Sequence, residues 1–185
     1  MKIIGLSGKK RSGKDTVYQL AGDILFKNAI KAGRVAFADP LKHEVSEITG
    51  FNLEFIEKNK EKLRPLLQVW GADFRRVFSG ANYWIDKMRP IVSKAEVDVL
   101  FITDCRYKNE AEFIKEEGGF LVKVERRGES YLHYQDAIED AHSSENDLNN
   151  YGSYDYILNN DKTKAELTES FVQMLECFDI LKNAA

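Results

Sequence analysis

Gly8-Lys9-Lys10-Arg11-Ser12-Gly13-Lys14-Asp15-Thr16 places two glycines around a run of cations and follows the lysine with two oxygen-bearing side chains. Phosphate oxygens ask for that combination. Glycines let successive backbone N–H groups turn inward around an anion. A helix starting at the lysine adds the positive end of its dipole. Lys14 is spaced to reach the β- and γ-phosphates of a nucleoside triphosphate. Gly8, Lys10, Arg11, Ser12, Gly13, Lys14, Asp15 and Thr16 are therefore the predicted triphosphate site. The residue after the lysine is ordinarily Ser or Thr, and here it is Asp15. Asp15 and Thr16 both offer oxygen to Mg2+, directly or through water.

Other groups have the types that phosphoryl transfer uses, since that reaction asks mainly for charge neutralisation and in-line positioning. Asp104 follows an apolar run, Val97 to Ile102, as a magnesium carboxylate does; it could instead cap a helix. Asp39, before Pro40, could orient an acceptor or a magnesium-bound water, or simply cap the next helix. Lys42 lies one turn further on. Arg64, Arg75 and Arg76 flank an apolar helical pattern, and Arg grips a phosphate with two parallel N–H bonds. Arg76 could equally pair with Asp73. Arg106, two residues past Asp104, points at the same crevice. Arg126-Arg127 open a long, irregular, acidic stretch of the kind that forms lids. An arginine closing on the transferring group is worth on the order of 10³–10⁵ in rate. Tyr83 and Trp84 could stack a base or lie in the core. His43, His133 and His142 have no metal-ligand spacing with one another or with Cys105 and Cys177.

The elements that must hold these groups alternate along the chain. Lys2–Ser7 reads as a strand buried on both faces. The spacing predicts a helix from Lys14 to about Lys31, ended by Gly33, then a strand over Val35–Ala38 and a helix opened by Pro40. Leu41 to Leu63 reads as a surface helical insertion. Pro65 is expected to start a helix with Leu66, Leu67, Trp70, Phe74, Val77 and Phe78 on one face. Asn82 is expected to cap the next, and Pro90 to kink or end it. Strands are predicted at 97–102, 120–124 and 154–158, with a helix over 108–117 between the first two. Thr163 with Glu166 fits a capping box opening a final helix. Five strands alternating with helices mean an α/β fold with a parallel sheet, ligands binding beyond the carboxyl ends of the strands. The expected organisation is one domain: core 1–40, 97–125 and 152–185, a helical region 41–96, and a lid 126–151.

The chain has 185 residues, 43% apolar and 31% charged, with a net charge of −3. That mild charge, without a long basic run, argues against a nucleic-acid polymer as partner. Two distant cysteines suit a reducing cytoplasm, and neither a signal peptide nor a membrane span is expected.

Several segments together resemble the deoxynucleoside monophosphate kinases encoded by bacteriophages. They are Gly8…Gly13-Lys14-Asp15-Thr16, Phe37-Ala38-Asp39-Pro40-Leu41-Lys42, Tyr83-Trp84-Ile85, Asp104-Cys105-Arg106-Tyr107-Lys108-Asn109-Glu110, His142-Ser143-Ser144-Glu145 and Ile157-Leu158-Asn159-Asn160. Ser143 stands where that family's pattern has Pro. The resemblance implies an adenylate-kinase-like P-loop fold and transfer from ATP, with Mg2+, to a deoxynucleoside monophosphate. It implies an acceptor region at 41–90 and Asn159 and Asn160 near the donor adenine. It also implies that residues 142–145 close the lid on the core, and that homodimers can form. On that reading Lys14, Arg126 and Asp39 are catalytic; Asp15, Thr16 and Asp104 serve Mg2+. Asp39, Lys42, Arg64, Arg76, Trp84, Asp104, Arg106 and Glu110 hold the acceptor. Two alternatives stay open: a kinase of another small phosphorylated acceptor such as dephospho-coenzyme A, and a non-catalytic nucleotide switch.

Overall fold

The computed structural model describes residues 1–126 and 143–181. In chain order the elements are β1 (Lys2–Ser7), α1 (Lys14–Lys27), β2 (Ala32–Val35), α2 (Ala38–Thr49), α3 (Leu53–Lys58), α4 (Lys60–Gln68), a π-helical segment Val69–Arg76, α5 (Tyr83–Ser93), β3 (Val99–Cys105), α6 (Lys108–Glu116), β4 (Phe120–Glu125), α7 (Ser143–Asn146), β5 (Tyr156–Asn159) and α8 (Lys164–Cys177). They fall into two compact units, Met1–Val35 with Ala95–Ala185, and Ala36–Lys94.

The first unit is an α/β layer structure. Its five strands pair in the order β2-β3-β1-β4-β5, and every pairing is parallel. β1 is central and, apart from Lys2, buried throughout, as a parallel sheet covered on both faces requires. Ile4 and Leu6 point to one face, where Val17, Leu20 and Leu25 of α1 and Phe171, Met174 and Leu175 of α8 complete the core. Gly5 points the other way, and its missing side chain leaves room for Ile114 of α6. α8 opens with the expected capping box: Glu166 N donates to Thr163 Oγ1 at 3.3 Å, and Thr163 N to Glu166 Oε2 at 3.1 Å.

Several boundaries differ from those the pattern predicts. β2 covers 32–35, not 35–38, so Gly33 is a strand residue and not a helix stop. The register decides this, because Gly33 pairs with Leu100 of β3. α2 then starts two residues before Pro40. β3 runs on to Cys105, so Asp104 belongs to the strand. β3 is also irregular there: Gly5 pairs with Ile102 but Ser7 with Cys105, one extra residue on β3. Such a bulge re-aims the side chains around it.

The second unit is helical. Asn52 Oδ1 caps α3 by accepting Phe55 N at 2.8 Å. Pro65 does not begin a helix; it lies inside α4, and Pro90 lies inside α5, which continues to Ser93. A helix that accommodates an internal proline gives up one backbone bond but keeps its packing, and Trp84, Ile85, Met88 and Val92 of α5 are all buried. Over Val69–Arg76 the helix widens to π geometry. Glycine at position 71 is a weak α-former, and its carbonyl accepts Trp84 Nε1 at 2.9 Å. The apolar face predicted for this stretch is largely exposed: Val77 is 67% and Phe78 75% accessible. Among the described residues no helix is long and apolar enough to cross a membrane.

Candidate active site

β1 ends at Ser7 and the chain turns at once into the glycine-bounded loop. Gly8 has φ +144° and Gly13 φ +99°, conformations that side chains rarely tolerate. Space adds a second requirement: a Cβ on Gly8 would collide with the Val124 carbonyl, and one on Gly13 with the Asn160 amide. Arg11 also takes a left-handed turn, φ +63°. Lys14 curls across its own loop, donating to Gly8 O at 2.6 Å and Lys9 O at 2.9 Å. These two bonds tie the Lys14 ammonium to the start of the loop. Asp15 is exposed and Thr16 half-buried in the first turn of α1.

Asn160, just past β5, is a positioning group that the resemblance linked to a base and not to the loop. Its Nδ2 donates to Ser12 O at 2.9 Å, and its backbone N to Glu125 O at 2.7 Å. It ties the phosphate loop to the ends of β4 and β5. The signal in the sequence is faint: an amide at a strand end is ordinarily a turn residue. Asn159 beside it is exposed.

A cavity of about 350 Å³ opens beside the loop within the first unit. Gly8 and Ser12 line it from the loop, Arg106 from the end of β3 and Arg126 from the end of β4. Three stretches of chain far apart in sequence thus share one space. Ser12 is 4% exposed, and among the described residues its buried Oγ has no hydrogen-bond partner. A buried hydroxyl without a partner suits a site completed by a ligand oxygen.

Glu110 is not free to hold an acceptor. It is 3% exposed, and its Oε2 accepts the backbone N–H of Arg106 at 2.8 Å and of Tyr107 at 3.1 Å. It caps α6 and fixes the backbone that presents Arg106. Trp84 does not stack a base either: it is 3% exposed with its N–H spent on Gly71 O.

Within the second unit, Asp39 Oδ2 accepts Ala36 N at 2.8 Å, and Lys42 pairs with Glu57 at 2.7 Å. Burial pushes the Glu57 carboxyl up, but Lys42 and Lys60 together outweigh it and hold the group below the ordinary value of 4.5. Arg64 is half-buried on α4, and Arg76 donates to Ala81 O at 2.9 Å. Glu44 gathers Trp70 Nε1 at 3.1 Å, Arg75 Nε at 2.8 Å and the Tyr83 hydroxyl. The Arg75 guanidinium lies over the rings of Trp70 and Tyr83, 5.2 and 4.9 Å from their centres.

Among the described residues no three His, Cys, Asp or Glu side chains converge as a metal cage. Mg2+ that arrives on phosphates needs fewer protein ligands, and the oxygens of Asp15, Thr16 and Asp104 are of the type it takes. Arg127, His133 and His142, and most of the predicted lid, lie outside the described residues. Just beyond, the Ser143 Oγ and Tyr107 hydroxyl lie 3.2 Å apart, and Asp147 Oδ2 accepts Lys108 N at 2.7 Å.

Comparison with known proteins bears on this geometry. A family model described as phosphomevalonate kinase matches residues 6–119. A protein of Acanthamoeba polyphaga mimivirus, provisionally named deoxynucleotide monophosphate kinase, is 33% identical over 97% of each chain. The chain belongs to the P-loop nucleotide kinase family. Solved structures agree with this P-loop kinase in fold. TT1252 from Thermus thermophilus superposes with a TM-score of 0.58 at 15% identity, covering 96% of this chain and 97% of that one. A gluconokinase from Sinorhizobium meliloti 1021 gives 0.50 at 11% identity, covering 98% of each.

Proposed function

We propose that this kinase transfers a phosphoryl group from ATP to a deoxynucleoside monophosphate, giving ADP and the deoxynucleoside diphosphate. The observation that carries the reading is the cavity in which Gly8 and Ser12 of the phosphate loop meet Arg106 and Arg126. The loop's N–H groups and Lys14 suffice for the donor. Two further arginines at the same space suit a second anionic substrate. The provisional name of the mimivirus relative supports the deoxynucleotide as that substrate.

In this reading Lys14 leaves the Gly8 and Lys9 carbonyls to neutralise the transferring group, and Arg126 joins it. Mg2+ enters with ATP and neutralises charge on its phosphates, next to Asp15, Thr16 and Asp104. Arg106 holds the acceptor phosphate. Asp39, Lys42, Arg64 and Arg76, in the helical unit Ala36–Lys94, act on the acceptor side. Asn159 lies on the donor-base side. The stretch from Arg126 to Tyr151 serves as lid. Cys105 and Cys177 are not joined in a disulfide among the described residues, which fits a cytoplasmic setting. The exposed Val77 and Phe78 support pairing of two copies.

The test is a coupled assay of ADP formation with each of the four deoxynucleoside monophosphates and, in parallel, dephospho-coenzyme A. Stimulation by at least one deoxynucleotide is expected. ADP release indifferent to all acceptors overturns the reading in favour of a nucleotide switch. Lys14→Ala is expected to fold and to lose on the order of 10²–10³ in kcat, the scale of one charge-stabilising donor; an unchanged kcat removes Lys14 from the mechanism.

A further inference from the structure

β4 is an inner strand, flanked by β1 and β5. Inner strands of parallel sheets are apolar on both faces, and Leu121, Val122 and Val124 obey that rule at 0–1% exposure. Lys123 does not. It lies in register opposite Ser7, the last residue before the phosphate loop. Its Nζ meets Glu125 Oε1 at 2.6 Å, both side chains being about two-thirds buried. The ammonium also stands 5.6 Å over the Tyr154 ring.

Burying an ion pair in a strand is weak support for stability, because desolvation offsets most of the attraction. An apolar pair would serve the sheet as well. The position has another consequence. Lys123 and Glu125 line the same cavity as Lys9, Ser12, Arg106 and Arg126. Among the described residues, four cations face one carboxylate there, a formal surplus of three positive charges. Ser12, whose buried Oγ has no hydrogen-bond partner among the described residues, lines the same space. Such a cavity takes an anion rich in oxygen.

We propose that Lys123 is a phosphate-binding residue of this cavity. It exchanges Glu125 for a substrate phosphate oxygen, and Glu125 sets how readily it does so. The proposal rests on the reading that the cavity receives phosphorylated substrates. The two residues then have opposite effects on affinity. Removing the lysine's charge weakens binding, whereas neutralising Glu125 frees the lysine and strengthens it.

The experiment is calorimetric titration of the full chain with pyrophosphate, for the parent protein, Lys123→Met, Lys123→Arg and Glu125→Gln. Removing one charge-assisted hydrogen bond corresponds to a drop of about tenfold in affinity. Lys123→Met is expected to show that drop, Lys123→Arg to recover most of it, and Glu125→Gln to bind severalfold tighter than the parent. KM values for ATP and for the deoxynucleotide identify which substrate supplies the phosphate: the one whose KM rises in Lys123→Met while kcat moves less. If Lys123→Met binds within twofold of the parent, or if Glu125→Gln weakens binding as Lys123→Met does, the pair is structural and the proposal falls. Pyrophosphate binding that depends on Lys123, without ADP formation from any deoxynucleotide, upholds Lys123 and overturns the choice of acceptor. ADP formation with pyrophosphate binding indifferent to Lys123 does the reverse.

Discussion

Gly13→Ala probes how tightly the phosphate loop is built. At φ +99° an alanine is strained, by about 1–2 kcal/mol. Its Cβ would also collide with Asn160 Nδ2, whose partner is Ser12 O. Overfilling a packed site costs about 1–3 kcal/mol more. The single substitution should therefore destabilise by about 2–5 kcal/mol. Asn160→Ala alone removes one hydrogen bond, about 1 kcal/mol. In the double variant the collision is gone and the backbone strain remains. The Gly13→Ala cost should then shrink to about 1–2 kcal/mol, a coupling of about 1–3 kcal/mol between neighbours. Urea unfolding of the four proteins, followed by circular dichroism, measures it. Additive costs, with no coupling beyond about 0.5 kcal/mol, would refute the claim that Asn160 occupies the space glycine leaves. ATP affinity should follow the same cycle, because the strained loop is the proposed donor site.

Two other perturbations test the supporting groups. Glu110→Ala leaves the Arg106 and Tyr107 N–H groups without their carboxylate; about 2–3 kcal/mol of stability should go, as for bonds to a charged acceptor. The acceptor KM should rise as the Arg106 backbone loosens; a stability loss below about 0.5 kcal/mol would make Glu110 a candidate substrate contact again. Burial pushes the Glu44 carboxyl up, but bonds from Tyr83, Trp70 and Arg75 and the Arg75 charge outweigh it, so its folded pKa lies below the ordinary 4.5. Its contribution is therefore complete above pH 4.5 and is lost as the pH falls through the folded value. Glu44→Gln should be less stable than the parent by about 2 kcal/mol near pH 7, and the gap should close in acid; a gap of equal size at about pH 7 and about pH 3 would show that the charge is not what matters.

Local physics accounts for what the sequence by itself determined. Strand, glycine-bounded loop and helix follow one another over residues 2–27, and their propensities and turn chemistry agree without long-range help. The Thr163–Glu166 box is equally local. Apolar runs bounded by turn residues revealed five strands and the parallel α/β class. Boundaries were less legible where register rules: Gly33 looks like a helix stop until β3 pairs with it, and Asp104 looks like the first loop residue until Cys105 pairs with Ser7.

Tertiary structure alone decided which polar groups share a space and which are spent. The family resemblance implies both Arg106 and Glu110 as acceptor contacts. Folding points one into the cavity and uses the other to bind backbone. Trp84 and Trp70 look alike on their helices, yet one is core and the other pairs with Glu44. Asn160 reaches Ser12 across 148 residues. Contacts of that kind depend on strand order and register, which hydrophobic patterning fixes only once all five strands are assembled.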